Sequence, residues 1–125
     1  MWQAFDQIPT NVFKTVVANP IPAGVSHIQA RDVGDGLLTE EYIVAFNATP
    51  EIVDKIIADK GLVQAQDSMT EMDPGFWKFT NIDLHQNWTI YEKSNLNVGY
   101  TSLIITMWVN PDRNTVLFQY LVFGP

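Results

Sequence analysis

The chain contains no cysteine. That absence removes disulfide frameworks, thiolate zinc sites and cysteine nucleophiles together. Imidazole is also scarce, with two histidines, His27 and His85, in distant segments. A metal site would have to recruit both of them and add carboxylates, so neither metal nor cofactor is expected. Basic residues are few as well: 7 lysines and arginines stand against 14 acids, for a formal charge of -7. The average field therefore repels phosphate backbones and anionic lipid surfaces, and the scattered lysines and arginines form no patch to offset it. Nucleic acid and membrane are accordingly not expected as partners. The acids are spread from Asp6 to Asp112, whereas imitation of a nucleic acid needs them clustered. No run approaches the ~20 apolar residues of a membrane span. The N-terminal MWQAFDQIPT lacks the basic and apolar regions of a signal peptide. A cytoplasmic protein is expected, although a chain that had lost a leader would read the same.

Catalytic motifs are missing too. There is no G-x-S-x-G, Walker A or G-x-G-x-x-G, and neither Ser26 nor Ser102 has a base placed by spacing. RDVGDGLLTEE has the look of a calcium loop, but Gly34 and Gly36 would occupy chelating positions and Ile43 the twelfth. The acids Glu40 and Glu41, or Asp67, Glu71 and Asp73, could form a carboxylate pair, but adjacent acids are common on solvated edges. The sequons at Asn47 and Asn87 matter only on a secreted eukaryotic chain.

What is present describes a fold. With 125 residues, 46% hydrophobic and 17% charged, the chain has the size and composition of one globular domain able to bury a core. In ATPEIVDKIIADKGL, Thr49 suits an N-cap and Pro50 the first helical position. Ile52, Val53, Ile56 and Ile57 form an apolar stripe opposite Glu51, Lys55, Asp59 and Lys60, and Gly61 suits the C′ position. A helix over 50–60 follows. Val12, Phe13, Val16 and Val17 repeat that spacing between Pro9 and Pro20, predicting a shorter helix at about 10–18 with a strand as the alternative.

VSHIQARDV and EYIVAFNA read as strands, joined by an irregular hairpin connection through VGDGLLT. From Tyr100 to Phe123 the text reads as a long antiparallel hairpin, turning at NPDRN with Pro111 and Asp112 in the centre of a type I turn. Neither face of that hairpin is wholly polar. The pattern suits a sheet with helices on one face and a less apolar cover on the other. The expected class is α+β: a single domain over 1–125, an antiparallel sheet ending in the hairpin, and two helices packed on one face.

The segment from Asp67 to Tyr100 is polar, aromatic-rich and aperiodic, apart from a candidate strand at Asn87–Glu92. A long irregular stretch in a compact domain is either functional or misread. Phe76, Trp77, Phe79, Trp88 and Tyr91 all lie in it. Aromatics among polar residues can anchor a ligand or partner, or they can close the second face of the sheet as core. The functional expectation is a non-catalytic ligand-binding or protein-interaction module built on Phe76, Trp77, His85, Trp88 and Tyr91. Its partner is a small molecule or a protein, and a homodimer is one such assembly. The alternative is a small hydrolase-like enzyme using Asp83, His85 and Glu92, which no motif organises.

Overall fold

A computed structural model describes residues 2–34, 39–67 and 71–124. The connection expected through VGDGLLT falls largely on 35–38 and lies outside them. Among the described residues one antiparallel sheet is formed by β1 (Ser26–Asp32), β2 (Thr39–Asn47), β3 (Val63–Ala65), β4 (Thr89–Asn95), β5 (Ser102–Val109) and β6 (Thr115–Phe123), in the order β1-β2-β6-β5-β4-β3. The helices are α1 (Trp2–Val16), α2 (Pro50–Lys60) and the single-turn α3 (Pro74–Trp77), which runs into a 3-10 turn at Lys78–Thr80. The class is α+β.

The ends of α2 follow from its terminal residues. Thr49 is extended, and its hydroxyl accepts from the Ile52 N–H at 3.4 Å. Gly61 takes φ 68°, its N–H bonds Ala58 O, and Leu62 N–H bonds Ile57 O. Together these satisfy carbonyls that the last turn would otherwise leave unpaired. The first helix differs from expectation. It extends back to Trp2 and carries Pro9 inside it, where the sequence reading starts the helix after that proline. Proline removes one rung of the hydrogen-bond ladder and disfavours helix in the residue before it, which makes a boundary probable rather than certain. At the other end the helix stops at Val16, two residues short of the expectation.

Period-two alternation sends each strand's side chains to two faces. On one face Val44, Phe46, Met107, Val109, Val116 and Phe118 share a buried cluster with Phe13 and Val16 of α1 and Val53 and Ile56 of α2. Phe13 meets Phe46 edge to face at 5.0 Å. Each such side chain contributes roughly 1.5–3 kcal/mol by leaving water. On the other face Ile43, Ala45, Trp108 and Leu117 pack against Trp77, with Phe76, Phe79, Ile82, Leu84 and Trp88 partly buried around them. The sheet is therefore covered on both sides, by helices on one and by the irregular segment 72–88 on the other.

Two strands depart from the sequence reading. β4 occupies Thr89–Asn95 rather than Asn87–Glu92. Lys93, Ser94 and Asn95 pair with Ile105, Ile104 and Leu103 of β5, and that pairing extends a strand whose own residues are polar. β3, three residues paired with Ile90–Glu92, has no counterpart in the sequence reading.

Candidate functional site

The cover over the second face is held by bonds of short sequence range. Asp73 Oδ1 accepts from Gly75 N–H at 2.9 Å and caps α3. Thr80 Oγ1 donates to Trp77 O at 2.6 Å and accepts from Ile82 N–H at 3.2 Å. Asn81 turns the chain with φ 59°, a left-handed geometry that asparagine tolerates better than most residues. Asp83 Oδ1 accepts from the backbone N–H of His85, Gln86 Nε2 donates to Asp83 O, and Trp88 Nε1 donates to Leu84 O at 3.1 Å. Every one of these links spans four residues or fewer. Asp, Asn and Thr side chains here take the place that a backbone ladder has in a helix or strand. An aperiodic sequence can thus be an ordered one.

Trp77 is the centre of this cover. It is 1% exposed and meets Trp108 edge to face, with ring centroids 6.2 Å apart. Its Nε1 is buried and has no hydrogen-bond partner among the described residues, in contrast to the paired indole of Trp88. Beside it lies a hollow of about 430 Å³, walled by Pro74, Trp77, Lys78, Asn81, Ile82, Asp83, Leu84 and His85. A second hollow of about 410 Å³ lies at the sheet edge between Gln64, Gln66 and Trp88.

The residues singled out from sequence distribute themselves over several places. Trp77 and His85 share the first hollow, and Asp83 joins them. Trp88 belongs to the second hollow, and Phe76 packs into the cover. Tyr91 stands on the opposite, helix-covered face. There the Arg113 guanidinium donates to the Tyr91 hydroxyl at 2.9 Å and reaches Asp54 at 2.5 Å. Glu92 is buried in the sheet, where it accepts from Thr106 Oγ1 at 3.2 Å, and it is not in the wall of the hollow that holds Asp83 and His85. His27 lies on β1, where Asn47 Nδ2 donates to its ring at 3.3 Å.

A polar line crosses the second face next to the cover. Glu92, Thr106 and Gln119 are cross-strand neighbours on β4, β5 and β6, and the Gln119 amide donates to Glu41 Oε2 on β2. Three strand spacings put its ends roughly 14 Å apart. Thr106 and Gln119 are buried. Burial pushes the Glu41 carboxyl above the ordinary glutamate range and Asp73 adds to the rise, while the Gln119 bond opposes it. A titration-perturbed carboxylate beside a polar floor marks a place where function can sit. Alternation assigns Glu41, Thr106 and Gln119 to one face, but nothing in their spacing shows that they meet. Lys78 and Asn81, which complete the first hollow, are ordinary loop residues by sequence. The signal that could have found them is their position within and directly after the Trp77-Thr80 clamp.

Among the described residues no group of three or more His, Asp or Glu side chains could hold a metal ion, and no helix is long and apolar enough to cross a membrane. No family model, curated protein or solved structure gives a match to this chain.

Proposed function

We propose that the chain is a non-catalytic binding module whose site is the hollow between Pro74 and His85. One observation carries the reading: the buried Nε1 of Trp77, a residue in the wall of that hollow, has no partner among the described residues. An orphaned buried donor costs about 1–3 kcal/mol. The N–H itself is sealed from solvent, so it marks an incompletely satisfied spot behind the wall of the hollow, and an acceptor reaches it only if the cover opens. The aromatic ring contributes packing at the same time, its indole lying against Trp108 within the cover. The hydrolase-like alternative has less support. The Asp83 carboxylate is occupied by the His85 backbone rather than by its imidazole, and Glu92 is engaged with Thr106 in the sheet. A general base needs its hydrogen-bonded partner within reach of one site.

The test is amide and indole NMR of the full chain against a fragment library of mixed charge. Resonances of Trp77, Lys78, Asn81 and His85 are expected to move together with the fragments that bind. Shifts gathered instead at Gln64, Gln66 and Trp88, or no saturable shift with any fragment, would remove this reading.

A further inference from the structure

The cover over the second face of the sheet is bonded to itself and not to the strands beneath it. Within 72–88, Asp73 accepts from the Gly75 and Phe76 N–H groups, Thr80 links Trp77 to Ile82, Asp83 holds His85 and Gln86, and Trp88 donates to Leu84. No hydrogen bond or ion pair among the described residues ties this segment to a strand. Packing holds it down instead. Trp77 lies edge to face on Trp108, with Phe76, Phe79, Ile82 and Leu84 around them, and the exposed Arg31 of β1 stacks over the Phe79 ring at 4.5 Å.

We propose that residues 72–88 form a lid that lifts from the sheet as one unit, with Arg31 on Phe79 as its clasp. Lifting breaks apolar contacts and a cation–π stack rather than hydrogen bonds, so the segment leaves the sheet with its own bonds intact and orphans no polar group. Closure, by contrast, keeps the Trp77 N–H buried without a partner among the described residues, and opening returns that donor to water. The face uncovered has Ile43, Trp108 and Leu117 at its centre, with Thr106 and Gln119 on the next rung of the same strands. An apolar floor with a few polar groups at its margin is what a ligand site presents. Such a lid gives an acceptor access to Trp77 Nε1, yet its opening is measured without ligand, so the lid and the binding reading fail separately.

The experiment is hydrogen exchange of the full chain followed by NMR, in the regime where rates report opening equilibria and after correction for intrinsic exchange. The Trp77 indole, protected by burial alone, is expected to exchange at least about a hundredfold faster than the slowest amides of β5 and β6. Arg31→Gln removes the clasp from an exposed position and should speed Trp77 about threefold. Ile56→Val, on the opposite face of the sheet, should speed the slowest β5 and β6 amides about fivefold and leave Trp77 unchanged, because α2 stays in place when the lid lifts. A Trp77 rate equal to that of the β5 and β6 amides, or rising with them in Ile56→Val, would mean that the cover opens only with the whole fold and would overturn the lid. A Trp77 rate untouched by Arg31→Gln would overturn it too, since the indole would then exchange through a fluctuation of its own.

Discussion

At the scale of single residues the most informative groups are Glu41 and Trp77. Glu41 is half-buried and has Asp73 as a like-charged neighbour, and these outweigh the opposing Gln119 bond, so its folded-state pKa lies above the unfolded one. Between those two values the folded chain binds more protons than the unfolded chain, and stability therefore falls as pH rises through the window. The loss begins near the ordinary value of 4.5 and is complete above the raised one. Glu41→Gln keeps an acceptor for Gln119 and removes the charge. It should raise the thermal midpoint at neutral pH and converge with the parent in acid, read from melting curves taken across the pH range. A midpoint lowered at neutral pH would show that the charge stabilises the fold. Trp77 separates packing from hydrogen bonding. Trp77→Ala removes a side chain that is 1% exposed and should cost roughly 3–5 kcal/mol. Trp77→Phe discards the unpaired N–H and keeps most of the ring, so denaturant unfolding should register a much smaller loss.

At the scale of elements, α2 offers the sharpest contrast between two faces of one helix. Ile56 is 3% exposed, whereas the Lys55 side chain is 63% exposed and pairs with Asp59 at 3.0 Å. Ile56→Asp places an unpaired charge in the core and should cost several kcal/mol. Lys55→Ala gives up an i, i+4 surface pair of about 0.3–0.5 kcal/mol. Equal shifts of the urea midpoint for the two variants would mean that the helix register is wrong. This contrast is legible in the amino-acid sequence, because the stripe, the threonine cap and the C′ glycine all lie within fifteen consecutive residues. The strands at the sheet edge are legible there only in part. β4 continues through Lys93–Asn95 because β5 supplies its partners, and β3 exists because β4 is there to pair with it. Neither cause is local.

At the scale of the whole molecule, the strand order places β2, β6, β5 and β4 inside the sheet and leaves β1 and β3 at its edges. Residues such as Val44, Met107 and Phe118 are wholly buried, and opening there requires global unfolding. Hydrogen exchange should accordingly be slowest in β5 and β6, and faster in β1 and in the three residues of β3. Protection in β3 equal to that in β6 would contradict the observed order. The α+β class and the position of α2 were determined by the sequence alone, because caps, apolar periodicity and turn residues act over a few positions and can be read one after another. Tertiary structure decided the rest. It put Tyr91 with Arg113 and Asp54 on one face and Trp77 with Trp108 on the other, and it aligned Glu92, Thr106, Gln119 and Glu41 across four strands. It also left one indole N–H without a partner among the described residues, beside Lys78 and Asn81. The physical reason is that an irregular segment satisfies its backbone through its own side chains and carries no period. Which face it covers, and which donors remain unspent there, is settled by packing against strands distant in sequence.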